Sequence, residues 1–243
     1  MVFNFIAHLR TINDSDKTKA VDLLIRESTG DFDFFFFIIL SVLMATLGLI
    51  ANNPAIVIGS MLLAPILFPI LSISLSIIMS DGPLIARSIM TFLQASGAAI
   101  VAAATATLVF APFAPITAEI LLRTEPSLIY TGVAIIAGLA VSYALAQPGL
   151  SATLPGIAVS VALIPPLATI GIGIANLNLQ VIAGAFTLYL VNVLGIIFAS
   201  MLIFALMNLY AKRKVAEKVV KIEEKRLEKA HEEQEKTVKN EKA

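Results

Sequence analysis

Between Phe34 and Tyr210 the chain runs 177 residues with only five charged side chains: Asp81, Arg87, Glu119, Arg123 and Glu125. The other 29 of its 34 Lys, Arg, Asp and Glu residues fall in the flanks, ten in 1–33 and nineteen in 211–243. Five charges cannot cover the surface of a water-soluble domain of that size. The sequence therefore predicts an all-α polytopic transmembrane helical bundle with a charged segment at each end. The predicted organisation is a cytoplasmic amphipathic segment over 1–31, a transmembrane domain over 32–210, and a charged helical tail over 211–243.

A span needs about 20 apolar residues. Six segments meet that need: 34–51, 54–79, 84–113, 128–147, 152–175 and 179–210. The count falls to four or five if the second or fifth is re-entrant. Turn chemistry separates them: Asn52-Asn53-Pro54, Asp81-Gly82-Pro83, Gln147-Pro148-Gly149 and Asn176-Leu177-Asn178. Arg10, Lys17, Lys19 and Arg26 precede the first span, and Lys212, Arg213 and Lys214 follow the last. The positive-inside rule then places both termini in the cytoplasm of a cell (inner or plasma) membrane.

Segments two and five resemble each other at an offset of 100. Ser60 aligns with Ser160, Leu63 with Leu163, Pro65 with Pro165 and Ile70 with Ile170. At a slightly shorter offset Gln94 lies near Asn192. This pattern predicts two three-span units, about 34–113 and 128–210, the second inverted because the count is odd. Inverted repeats with interrupted helices at matching positions point to transporter-type sites. Pro65, Pro69, Pro165 and Pro166 fall mid-span, where proline removes an N–H and clashes with the carbonyl four residues back. Two readings follow. Either these are kinked helices packed on neighbours, or two broken helices meet near the midplane and form a polar site with Ser60, Ser160 and Thr169. Gln94 and Asn192 either bond a neighbouring helix or line the same path, with Ser142, Tyr143 and Tyr189 as further candidates.

The run Val57-Ile58-Gly59-Ser60-Met61-Leu62-Leu63-Ala64-Pro65 carries a resemblance, as do Arg26-Glu27-Ser28-Thr29 and Ala45-Thr46-Leu47-Gly48-Leu49-Ile50. So do Glu119-Ile120-Leu121-Leu122-Arg123-Thr124-Glu125-Pro126, Leu154-Pro155-Gly156 and Val161-Ala162-Leu163-Ile164-Pro165-Pro166-Leu167. In order, these motifs resemble the membrane family called domain of unknown function 389. The resemblance spans about 26–205 and implies a prokaryotic inner-membrane or archaeal plasma-membrane protein. It brings no activity and no catalytic residues. Gly30-Asp31 departs from the proline-containing turn the resemblance would place before the first span.

Asp81 and Arg87 flank the third segment and read as an interfacial pair or an inner gate. Glu119 and Arg123, four apart, read as a helical ion pair on an outer cap or gate, with 116–122 as a short interfacial helix. Asp14–Ser28 reads as an amphipathic helix. The Lys/Glu-rich tail reads as a solvated extension of segment six rather than a coiled coil, because Glu223 interrupts its apolar seam. Cysteine is absent and both histidines, His8 and His231, lie in the flanks, so no cofactor or metal site is expected within the spans. The zero net charge gives nucleic-acid binding no support.

The expected function is a transporter or channel for a small solute or ion, and not an enzyme. The alternative is a membrane-anchored scaffold or sensor acting through the tail on a cytoplasmic partner. The lipid bilayer is the expected surrounding, and a homo-oligomer the expected state.

Overall fold

The computed structural model describes residues 13–113, 115–145, 147 and 163–241. Every regular element among them is helical. In chain order these are α1 (Asp14–Glu27), α2 (Phe32–Ile50), α3 (Pro54–Met61), α4 (Leu67–Met79), α5 (Gly82–Phe110), α6 (Ala118–Leu121), α7 (Leu128–Leu145), α8 (Ile164–Ala175) and α9 (Leu179–Leu206). A 3-10 turn (Leu209–Lys212) leads into α10 (Arg213–Glu241).

Among the described residues, four helices are long and apolar enough to cross a membrane: α2, α5, α7 and α9. They match segments one, three, four and six. The second segment differs from the continuous span predicted for it. It is split into α3 and α4 by the non-helical stretch 62–66. Of the fifth, only α8 and the residue before it lie among the described residues.

Three helix-to-helix corners share one construction. A residue with left-handed backbone (Asn52, Ser80 or Leu177, each φ 51°) is followed by Asn53, Asp81 or Asn178. The backbone N–H of each of these donates to a carbonyl five residues back: Gly48 (2.9 Å), Ser76 (3.1 Å) and Gly173 (2.9 Å). Its side chain then caps the next helix, accepting from Ala55 N (3.0 Å), Leu84 N (3.1 Å) or Gln180 N (3.1 Å) respectively. Each corner thus closes one helix and opens the next with few orphaned backbone groups. Replacing Asn53, Asp81 or Asn178 by Ala is expected to cost about 1 kcal/mol each. Thermal unfolding midpoints of the three variants in detergent check this, and unchanged midpoints would mean the corners are held by packing alone.

The helices run between two ends. At one, α1 and α10 pack together, Lys212 pairs with Asp14, and Asp81 faces Arg213 at 3.9 Å. At the other, α6 is fastened to the end of α2 by Thr117 Oγ1 donating to the Leu49 carbonyl (2.7 Å) and Glu119 N donating to Asn52 Oδ1 (3.1 Å). α5 starts at the charged end and, with 29 residues, extends about 44 Å to the other. α9 runs the opposite way, since its C-terminus leads into α10. α7 lies parallel to α9, with Ala134 beside Gly195 and Gly138 beside Ala199.

The core consists of two short helices. α4 has 13 residues and α8 has 12, about 20 and 18 Å at 1.5 Å per residue. Neither length spans a hydrocarbon layer of about 30 Å. α4 is buried over 69–76 and α8 over 164–173, so each is enclosed on all sides. Both pack against α5 and α9. α4 ends at the charged end, where Asp81 follows it. α8 ends at the opposite one, with Gly171 pressed on Ala103 and Ile100, deep along α5. Their N-termini therefore face the middle of the bundle from opposite directions.

Candidate functional site

The middle of the bundle is where α3 stops and where α4 and α8 begin. α3 runs inward from the Asn53 corner, and its last turn meets the middle of α2 through Ser41 Oγ, which donates to the Ser60 carbonyl (2.7 Å). Ser60 is fully buried and its own hydroxyl donates to the Val57 carbonyl (2.6 Å). The carbonyls freed by the break also find partners: Gly59 accepts from Leu62 N, Ser60 from Leu63 N, and Pro65 from Phe68 N, each at 3.2 Å. These bonds pin the break and satisfy the carbonyls of Gly59, Ser60 and Pro65.

Pro65 lies in the break between α3 and α4, and the other three prolines open helices. Pro69 lies in the first turn of α4, and Pro165 and Pro166 in the first turn of α8. N–H groups there have no intrahelical acceptor, so proline costs nothing and pre-sets the backbone. Pro65 alone sits in a gap, two residues before α4. Ser160 lies outside the described residues.

Thr169 is fully buried on α8, and its hydroxyl has no hydrogen-bond partner among the described residues. Asn192 on α9 is also buried, 4% exposed. Gln94 corrects the expectation that it lines the interior. It is exposed on the outer face of α5. The inner face of that helix is formed by Leu84, Ser88, Thr91, Ala95, Ser96, Ala99, Ala103 and Thr107. Gln94 lies off the stripe that these three- and four-residue steps define.

The polar contact across the centre uses Ser96 instead, whose hydroxyl meets the Tyr189 hydroxyl at 2.7 Å. The Tyr189 ring stacks on Phe92 at 6.0 Å. A second contact, Ser72 to Ser88 at 2.8 Å, joins α4 to α5. Ser142 is satisfied within its own helix by the Gly138 carbonyl (2.7 Å). The small-residue periodicity of α5 carried the signal for Ser96 and Ser88, but an amide at Gln94 drew the reading away from it.

The gate candidates separate. Glu119 and Arg123 pair at 3.2 Å as their spacing predicted. Asp81 and Arg87 find other partners than each other. Asp81 caps α5. Arg87 donates to Thr29 Oγ1 (3.1 Å) and to the Val220 carbonyl (3.4 Å), and lies 3.6 Å from the Glu224 carboxylate. The tail therefore folds back on the bundle rather than extending from it. The physical anchor is Glu223, whose side chain is 1% exposed and bonds Arg26 (2.5 Å) and Arg226 (3.3 Å). The residue that spoils an apolar seam is the one that docks the helix. Hydrogen bonding and charge from Asp22, with Glu223 adding, hold the Arg26 guanidinium above its ordinary pKa. Beside this cluster a groove of about 440 Å³ opens between Gly30–Phe35 and Arg226–Ala230. Among the described residues, no group of three or more His, Asp or Glu side chains stands close enough to hold a metal ion.

The chain is similar to the uncharacterized protein MJ0678 of Methanocaldococcus jannaschii, at 29% identity over 171 residues, 69% of this chain and 52% of the relative. It thus spans about half the length of that relative. No solved structure matches it. The model of the family described as domain of unknown function 389 matches residues 61–198, from the last residue of α3 to the second half of α9, and the chain belongs to that family.

Proposed function

We propose that this protein moves a small solute or ion across the membrane. One observation carries the reading: α4 and α8 are short, enclosed helices that begin at the middle of the bundle and run outward to opposite ends. Helix N-termini carry exposed N–H groups and a partial positive charge. Paired half-helices at mid-depth are how secondary transporters build substrate sites. Pro65, Pro69, Pro165 and Pro166 lie at or just before these N-termini, Ser60 and Thr169 supply buried polar groups nearby in the chain, and Asn192 is a buried amide on α9. The Gly59, Ser60 and Pro65 carbonyls at the break are already paired, so a neutral or anionic solute suits the site better than a cation held by these three.

Chain directions support two inverted units. α2, α4 and α5 have counterparts in α7, α8 and α9, each running opposite to its match. The α4–α5 and α8–α9 corners are built alike. In this reading α2, the α3–α4 pair and α5 cross the membrane, as do their counterparts. Both charged flanks then lie in the cytoplasm, where the lysines and arginines of α1 and α10 gather.

The test is flux into proteoliposomes: glycerol and urea entry by stopped-flow light scattering, and chloride and potassium release by electrode. Pro65→Ala restores an N–H and backbone freedom within 62–66 and loosens the break between α3 and α4. We expect it to lower flux about tenfold or more while the unfolding midpoint moves only a few degrees, the scale of about 1 kcal/mol. Transport of none of the four probes, or wild-type flux in Pro65→Ala, would sink the mechanism. Truncation after Tyr210 separates the scaffold reading, which requires the tail for all function.

A further inference from the structure

The outer face of α5 carries a polar group that lipid cannot satisfy. Met90, Gln94, Gly97, Val101, Thr105 and Leu108 recur at three- and four-residue steps and are all exposed. Thr105 satisfies its hydroxyl on the Val101 carbonyl (2.9 Å). Gln94 makes no hydrogen bond among the described residues. It lies twelve residues into α5, about 18 Å from its start and close to the midpoint of the helix. A primary amide holds two donors and an acceptor. At that depth no water is present to meet them, and the side chain is too short to reach the interface. The outer face of α9 poses no such problem, since the exposed Thr187 bonds the Ala183 carbonyl of its own helix (2.8 Å).

We infer that this face is the contact between two copies of the chain, related by a twofold axis passing close to Gln94. A twofold axis sets a residue opposite itself. An amide is its own complement, donating and accepting at once, so the two Gln94 side chains satisfy each other. The face carries no charge, so nothing in it selects an acidic or basic partner. Gly97 lies one turn further on, and a Cβ built there meets nothing within 4 Å. That open surface lets a second helix approach closely, as small residues do at membrane helix contacts. The inference does not depend on solute movement.

The 243 residues contain no cysteine, so single-cysteine variants of the full chain need no prior engineering. Gly97→Cys and Val101→Cys, oxidised in native membranes with copper phenanthroline, are expected to give a disulfide-linked species of twice the chain mass. Phe198→Cys, at a 66% exposed position on the outer face of α9, is expected to give none. In nanodisc or micelle dilution followed by energy transfer, Gln94→Leu is expected to weaken the dimer roughly three- to thirty-fold, the range of one interhelical hydrogen bond. Gly97→Ile should weaken it further, with the unfolding midpoint of each protomer not lowered because both sites face outward. A cross-link at Phe198 but not at 97 or 101, a product of some other mass, or wild-type dimerisation in Gln94→Leu would overturn the assignment.

Discussion

Gly171→Ala is expected to lower the unfolding midpoint by about 10 °C, far more than a single added methyl usually costs. A Cβ built at Gly171 would stand 2.4 Å from the Ala103 Cβ and 2.8 Å from both the Ala104 nitrogen and the Ile100 carbonyl oxygen. Two of those three atoms are backbone, so no rotamer change relieves the clash. α8 must move away from α5, and a helix enclosed on all sides has nowhere to go. Overpacking of this kind costs about 1–3 kcal/mol and sometimes more. For a chain of this length about 3 kcal/mol corresponds to roughly 6–12 °C. Gly97→Ala is the matched control, since it adds the same methyl to α5 where nothing lies within 4 Å. It should instead stabilise the protomer by about 0.5–1 kcal/mol through helix propensity. Calorimetry or nano-fluorimetry in detergent on both variants decides the matter. Equal midpoints would mean that α8 does not bear on α5 as described.

Glu223→Ala is expected to release the tail. The carboxylate is enclosed while Arg26 and Arg226 remain 41% and 65% exposed, so the variant strands no buried cation. What is lost is a pair of charge-assisted hydrogen bonds, and the exposure of the arginines holds their joint worth to about 2 kcal/mol. That corresponds to roughly a 30-fold rise in the opening equilibrium of α10. Hydrogen exchange along 213–230 should accelerate by that factor, while exchange in α5 and α9 stays unchanged. Trypsin should cut more readily after Lys212, Arg213, Lys214 and Lys218. Glu223→Gln keeps the shape and one acceptor and should fall between. Exchange at the wild-type rate in Glu223→Ala would show that apolar contacts of Ala216 and Val219, both buried, suffice to dock the helix.

Much of this architecture was determined by the sequence alone. Five charges in 177 residues force a helical bundle that hides its backbone from lipid, because no other open structure satisfies its own N–H and C=O groups there. Asn53, Asp81 and Asn178 mark their helix starts because an Asx side chain caps nearby N–H groups by local geometry. Glu119 and Arg123 pair for the same reason: four residues along a helix is a fixed distance.

What the tertiary structure decided is everything that depends on direction and depth. Pro165, read along the chain, falls in the middle of an apolar run. Only the packing of α8 places it in a first turn, where its missing N–H is harmless. Gln94 and Ser96 are two residues apart, and hydropathy cannot tell which faces inward. The small inner stripe of α5, set against α4 and α8, turns Ser96 toward Tyr189 and Gln94 out. Glu223 breaks a heptad in isolation, yet Arg26, 197 residues away, makes it the tail's anchor. Local rules are written in sequence spacing. Burial and ion pairing across the fold depend on which surfaces meet, and apolar letters that all favour lipid equally leave that choice to the packing of the whole bundle.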